Sequence, residues 1–310
     1  MADGVTADRI AADWIAADWG TTNLRAWAMG PAGEVVASAA ADTGAGGLAA
    51  GAFEGALLDA VGAWLAPDLT TPVLICGMAG ARTGWREAPY VDISAGLDGV
   101  TRGAVSVETA SPLVDVCILP GLCQRDPPDV IRGEETQLLG LLADDPDFDG
   151  LVIMPGTHSK WLRIASGRPV STMTAMTGEL YDLLRRLSIL RHSVGGEGFD
   201  DAAFAEAVAF AHAAPEAVLP ALFQLRAADM LDEGAGPAAG AARLSGLLVG
   251  LELRSALPAG ELPRVAIVGA EVLVARYAAA LATLGIAAEP HDGSALALAG
   301  LRIAHAAMAR

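Results

Sequence analysis

Asp18, Gly20, Thr21 and Thr22 stand together in the run Trp14-Ile15-Ala16-Ala17-Asp18-Trp19-Gly20-Thr21-Thr22-Asn23-Leu24-Arg25-Ala26-Trp27. Residues of these types in this order can hold an anion and a metal. Glycine lets a backbone approach an anion closely, and successive turn N–H groups converge into an anion-binding concavity. Threonine hydroxyls add donors, and an aspartate at a strand end can hold Mg²⁺ through water. A hairpin turn with no ligand shares this short sequence. What separates the two readings is a second copy: Gly156-Thr157 follows the apolar run Leu151-Val152-Ile153-Met154-Pro155 and lies 136 residues after Gly20-Thr21. Two such turns facing each other could clamp a polyphosphate from both sides. Asn23 would sit beside the first turn, and Lys160 would add a cation behind the second.

Other segments offer different chemistry. Arg132-Gly133-Glu134-Glu135-Thr136-Gln137 puts two carboxylates at a helix start, where the macrodipole favours their ionised forms. One of them could accept a hydrogen bond from a hydroxyl or a metal-bound water; neighbours in sequence point apart, so at most one faces a ligand. The alternative is a pair of first-turn acids that only stabilise the helix. The loop Cys76–Tyr90 follows a buried strand and is rich in glycine. Ligand sites of open α/β sheets lie at such strand ends. Arg82, Arg86, Trp85 and Tyr90 could recognise a carboxylate and the faces of a sugar chain, and Arg25 joins them as a substrate-binding candidate. A packed surface loop is the competing reading. No Gly-x4-Gly-Lys-[Ser/Thr] run occurs, which excludes a P-loop. Gly44-Ala45-Gly46-Gly47-Leu48-Ala49 mimics a dinucleotide fingerprint but follows a meander, so it reads as a flexible loop. The five histidines show no metal spacing.

The elements that must position these residues follow from periodicity. A strand–turn–strand–turn–strand meander opens the chain, its third strand spanning Glu34–Ala37. The same grammar returns from Leu151 through the Ser166-Gly167-Arg168-Pro169 turn to Val170. Two meanders, each opening a half of similar size, predict a duplicated domain facing its twin across a cleft. Residues 1–146 and 147–310 form the two lobes, with a linker near Asp144–Asp147 and the last helix free to pack back on the first lobe. Ala52–Trp64 and Glu134–Ala143 have helical spacing, whereas Pro72–Cys76 and Val114–Leu119 read as buried parallel strands. Thr177 is placed as N-cap of a helix over Glu179–Leu190. Val265–Gly269 is a late buried strand before a helix from Val272 to Leu284, and Asp292-Gly293-Ser294 caps a C-terminal helix. Asp232–Ala239 reads as a loose stretch.

Composition narrows the class. A net charge of −17 argues against a nucleic-acid partner, though not against a small anion that needs only local donors. Cys76, Cys117 and Cys123 form no CxxC pair; the first two read as buried thiols, and a reducing cytoplasm fits them. The apolar stretch Asp201–Phe223 is interrupted by Glu206, His212, Pro215, Glu216 and Pro220, so no spanning helix is expected. Met1–Asp13 has no signal-like apolar run and reads as a disordered extension.

Taken together, Ala17–Trp27, Cys76–Tyr90, Ile131–Gly140, Met154–Trp161, Met176–Leu190 and Val265–Leu281 resemble the 2-keto-3-deoxygalactonate kinases (2-dehydro-3-deoxygalactonokinases). That resemblance implies an α/β fold of two ribonuclease-H-like lobes, the actin-like ATPase and sugar-kinase fold, duplicated around a central cleft. It implies ATP and Mg²⁺, and transfer of the γ-phosphoryl group to the C6 hydroxyl of 2-keto-3-deoxy-D-galactonate. A partner aldolase in galactonate breakdown would split the product. By position, Asp18–Thr22 resemble the family's first phosphate motif, Gly156 and Thr157 the second, and Val265–Gly269 the adenosine motif. Glu134-Glu135 resembles the segment that supplies a carboxylate in some members. A homodimer is compatible with this reading. Two rivals stay open: an exopolyphosphatase-like hydrolase of the same fold, and a non-catalytic, actin-like nucleotide-binding protein. The Arg82–Tyr90 loop and the acidic charge count against the first.

Overall fold

The opening meander forms as three antiparallel strands, β1 (Trp14–Trp19), β2 (Leu24–Met29) and β3 (Val35–Ala41). The structure is a computed structural model describing residues 11–195, 198–231, 236–258, 260 and 264–308. After the meander come α1 (Phe53–Val61), β4 (Thr71–Gly77), β5 (Val91–Asp92), α2 (Leu97–Arg102) and β6 (Val105–Val107). Then follow β7 (Val114–Ile118), β8 (Leu122–Arg125), β9 (Pro128–Ile131) and α3 (Glu134–Asp144). The sheet order is β3-β2-β1-β4-β7-β6, with β4 parallel to both β1 and β7. Central β1 and β4 are apolar on both faces because both faces are covered, whereas β3 at the edge exposes Val35 and Val36. Trp19, Phe53, Leu57, Ile75, Val116 and Ile118 form the core between the sheet and α1.

The same plan is repeated in β10 (Gly150–Met154), β11 (Ser159–Ala165) and β12 (Arg168–Ala175). Four helices follow: α4 (Thr177–Arg186), α5 (Asp201–Ala213), α6 (Val218–Met230) and α7 (Pro237–Ala256). The chain ends with β13 (Arg264–Gly269), α8 (Glu271–Thr283), β14 (Glu289–Asp292) and α9 (Gly293–Met308). Sheet order is β12-β11-β10-β13-β14: antiparallel across the first three strands and parallel across the last pairs. In both sheets a three-stranded meander lies beside parallel strands reached by crossovers, which is the ribonuclease-H-like order and makes the duplication visible in topology. Ile153, Trp161, Phe204, Val208, Val265, Ile267 and Leu281 centre the second core.

Among the described residues the chain divides into two compact units, one of residues 11–148, 166–170 and 294–308, the other of 149–165 and 171–293. In the first, α9 lies against α3, where the Gly140 and Gly300 backbones pack on Leu296 and Thr136, and His305 stacks on Trp14 with ring centroids 3.9 Å apart. No single described helix is long and apolar enough to cross a membrane; α5 and α6, apolar in sum, meet at a 114° bend.

Several expectations need correction. The third strand runs to Ala41, beyond Ala37. The helix placed at Glu179–Leu190 begins at Thr177 and ends at Arg186, with Met176 at the N-cap position. Thr177 does not cap it, because it is the first helical residue rather than the one before; its hydroxyl donates to the buried carboxylate of Glu252. Beyond Arg186 a separate turn, Ile189–His192, is capped by Ser188. Cys76 is buried, but Cys117 is only half-buried, because β7 alternates and turns it toward Ser106 at 3.7 Å. In the stretch read as loose, Pro237–Ala239 starts α7, with proline at the first helical position where its missing N–H costs nothing. Residues 232–235 lie outside the described residues, as do 1–10 of the N-terminal extension.

Candidate active site

The turn after β1 is a loop of four residues closed by Gly20 N–H donating to Asn23 O at 2.9 Å. The segment read as a flexible loop is tied down on it. Gly44, Ala45 and Gly46 donate their N–H groups to the carbonyls of Thr22, Gly20 and Thr21, each at 2.9 Å. Ala45–Gly47 is a short helical turn, and the packing is backbone on backbone. All carbonyls on one side of the turn are thereby used. Among the described residues, the N–H groups of Thr21, Thr22 and Asn23 donate to no backbone acceptor. That is the polarity of an anion cradle: acceptors turned inward, donors left over.

Asp18 stands at the end of β1, directly opposite Arg25 on β2 and Cys76 on β4. Burial pushes its carboxyl up, with Arg25 Nη1 at 3.6 Å from Oδ2 and Cys76 Sγ at 3.8 Å from Oδ1 pulling the other way. Cys76 itself is pushed well up by burial and by the nearby Asp18 and Glu135 carboxyls. The start of α3 therefore lies close to Asp18. Glu135 is fully buried, and burial with neighbouring Glu134 raises it to about 8. Both of its oxygens are bonded: Gly133 N–H donates to Oε2 at 2.7 Å and Thr136 Oγ1 to Oε1 at 3.0 Å. Glu134 is half-buried, and its Oε2 accepts Arg132 N–H at 2.9 Å. Both carboxylates reach back to the turn before the helix, onto the neighbouring N–H groups of Arg132 and Gly133, and of the two only Glu134 keeps exposed surface.

The second turn, Pro155–His158, joins β10 to β11 and is backed by a helix rather than a loop. Glu179 N–H in the first turn of α4 donates to Thr157 O at 2.9 Å, and Gly178 packs against Gly156 O. His158 Nε2 lies 2.5 Å from Glu179 Oε2. Here too the N–H groups of Gly156, Thr157 and His158 donate to no backbone acceptor among the described residues. Gly269, at the end of β13, adjoins this turn: a methyl group on it would lie 3.6 Å from Pro155 O. Lys160 is buried on β11, and its Nζ donates to Thr174 Oγ1 at 3.0 Å.

The residues suggested for a sugar acid are dispersed on the first unit. Arg82 is exposed and 3.6 Å from Glu87. Trp85 is half-buried, its ring 6.2 Å from Phe53 and 6.1 Å from Trp19. Tyr90 has one face covered by the Arg132 guanidinium at 4.3 Å. Arg25 is half-exposed beside Asp18. Arg132 was not singled out from the sequence. It is buried, donates from Nη2 to Ala88 O at 2.7 Å, and has no partner for Nε or Nη1 among the described residues. Its one sequence signal is an arginine directly before Gly-Glu-Glu.

Comparison with known proteins agrees over nearly the whole chain. The family model described as 2-keto-3-deoxy-galactonokinase matches residues 18–304. The probable 2-dehydro-3-deoxygalactonokinase DgoK1 of Rhizobium meliloti (strain 1021) is 40% identical over 291 residues, 92% of this chain and 94% of the relative. The 2-dehydro-3-deoxygalactonokinase of Escherichia coli (strain K12) is 34% identical over 297 residues, 93% of this chain and 96% of that one. A crystal structure of a candidate 2-dehydro-3-deoxygalactonokinase from Sinorhizobium meliloti superposes with a TM-score of 0.87 at 39% identity, covering 95% of this chain and 99% of the other. With both glycine-threonine turns, the Asp18 strand end and the Glu134-Glu135 helix start inside the matched span, the chain belongs to the 2-keto-3-deoxy-galactonokinase family.

Proposed function

We propose that this chain is an ATP-dependent kinase that phosphorylates the C6 hydroxyl of 2-dehydro-3-deoxy-D-galactonate. The observation that carries the reading is the bare donor face of both turns, at Thr21–Asn23 and Gly156–His158, the first with its carbonyls occupied by Gly44–Gly46 and the second with Thr157 O occupied by Glu179 N–H. Neither Gly20 nor Gly156 has a positive φ, and a methyl group on either would meet protein atoms only at ordinary contact distance, 3.5 and 3.7 Å. The fold does not require glycine there; a phosphate approaching the backbone does. The N–H groups and threonine hydroxyls of each turn suit phosphate oxygens, Lys160 adds positive charge behind Gly156–Thr157, and Gly269, which adjoins that turn, belongs to the adenosine motif.

The Asp18 carboxyl, largely withdrawn from water and only partly compensated by Arg25, fits a cation. Among the described residues no three His, Cys, Asp or Glu converge on a metal position, and Asp18 is the carboxylate that would hold Mg²⁺. Mg²⁺, when bound, neutralises charge on the β- and γ-phosphates. Glu134, which has surface exposed where Glu135 has none, orients the C6 hydroxyl and receives its proton as the new O–P bond forms and the bond to the ADP oxygen breaks. Glu135 holds the helix start in place. Arg25, half-exposed beside Asp18, supplies a cation for the sugar-acid carboxylate. Three free cysteines suit a cytoplasmic setting.

The test is ADP release coupled to a panel of sugar acids. Turnover should be fastest with 2-dehydro-3-deoxy-D-galactonate and slow without an acceptor. Equal phosphate release with and without acceptor would instead identify a hydrolase, and no turnover with any acceptor a binding module.

A further inference from the structure

Behind the second turn lies a polar network that the motifs do not account for. The Glu252 carboxylate on α7 is 5% exposed and is reached by four side chains, those of Trp161, Tyr277, Thr177 and Ser159. Trp161 Nε1 on β11 donates to Oε1 at 2.7 Å, Tyr277 Oη on α8 donates to Oε2 at 2.8 Å, and the Thr177 side chain joins from the first residue of α4. Ser159 Oγ lies 2.8 Å from Tyr277 Oη. Ser159 also hydrogen-bonds the Glu252 carboxylate itself. All four side chains thus meet at one carboxylate. All five side chains are buried.

Such a network is an expensive way to fill a core, because apolar side chains of the same volume would pack at no desolvation cost. Its members show what it holds. Ser159 and Trp161 fix the strand that leaves the turn, starting two residues after Thr157. Thr177 fixes the helix whose next two residues, Gly178 and Glu179, support the carbonyls of Gly156 and Thr157. Tyr277 belongs to the helix that follows Gly269, and Gly269 adjoins Pro155. Both sides of the turn and the helix after β13 hang on the same two oxygens.

We propose that Glu252 is a positioning residue for nucleotide binding: it sets the second turn in register with the corner between β13 and α8. The inference rests on the reading of Gly156–Thr157 as a phosphate turn. Glu252→Gln keeps the shape but aims an amide N–H₂ at a donor, and should raise the KM for ATP about tenfold or more while the KM for the sugar acid changes less than twofold. Tyr277→Phe removes one donor to Glu252 and the contact with Ser159 but leaves Trp161 and Thr177 on the carboxylate, and should move the same constant in the same direction, by less. Isothermal titration of ATP alone should show matching losses. If both variants lose thermal stability but keep the ATP constants, or if both KM values rise together, the network is only structural and the inference is wrong. Should Glu252→Gln fail to fold, Tyr277→Phe decides by the same criterion. Thr157→Val separates the two levels: if it leaves ATP affinity unchanged, the phosphate-turn reading fails. If it weakens ATP while the Glu252 and Tyr277 variants do not, the positioning role alone fails.

Discussion

Gly44 donates its N–H to Thr22 O at 2.9 Å, and a methyl group built on Gly44 would come within 2.1 Å of the Thr22 carbonyl carbon. The loop thus supports the first turn by contact that only glycine permits. Gly178 does the same behind the second turn, where a methyl group would lie 2.4 Å from Gly156 O. Neither glycine is itself in one of the two turns. Gly44→Ala and Gly178→Ala should therefore each push a turn out of place and raise the KM for ATP by about tenfold or more. The Gly178 case is the sharper, since alanine would otherwise favour the helix by about 1 kcal/mol. Steady-state kinetics with ATP varied is the measurement.

The two adjacent glutamates should separate kinetically. Glu134→Gln removes the accessible carboxylate and should lower kcat by about 10²–10⁴. Glu135→Gln should cost considerably less in kcat, because that side chain has no exposed surface with which to meet a hydroxyl. The reverse order, measured at saturating substrates, would exchange their roles.

Glu135 also sets a pH dependence of stability. Its folded carboxyl titrates near 8 against an ordinary 4.5, so between these values the folded state holds a proton that the unfolded state has lost. Stability must then fall as pH rises through that window, with a slope of at most about 1.4 kcal/mol per pH unit from this group. The full cost is present above pH 8 and absent below 4.5. Glu135→Gln should flatten this part of the profile in urea unfolding followed from pH 5 to 8.

Asp18 is costly where it stands. Asp18→Asn relieves a carboxyl largely withdrawn from water and should leave the unfolding midpoint unchanged or higher, while kcat falls by about 100-fold or more. A variant with normal Mg·ATP turnover would remove Asp18 from the mechanism.

Trp85 tests whether the loop after β4 meets substrate through that ring. Its contacts with Phe53 and Trp19 predict that Trp85→Ala loses about 2 kcal/mol of stability and that Trp85→Phe restores most of it. A rise in sugar-acid KM at unchanged stability would point to direct contact instead.

Much of the architecture was legible because strands and tight turns are local. Continuous apolar runs such as Pro72–Cys76 and Val265–Gly269 read as buried strands and are parallel strands, and the repeated Gly-Thr turn signalled the duplication that the two sheets share. Thr177 shows where local reasoning stops. It has the chemistry of a cap, but a carboxylate 75 positions later in the chain takes its hydroxyl. The loop at Gly44 looked mobile because glycine is permissive, and it is held because that same lack of a side chain lets it lie directly on the Thr21-Thr22 backbone.

By itself the sequence determined the residue types of the site, the order of the strands carrying them, and a family resemblance extending over the chain. Which carboxylate is buried, which carbonyls are occupied, and that Arg132 and Glu252 belong to the picture at all were decided by tertiary structure. The physical reason is range: turn chemistry and periodicity act over a few residues, whereas desolvation and hydrogen-bond competition depend on whatever the fold brings alongside.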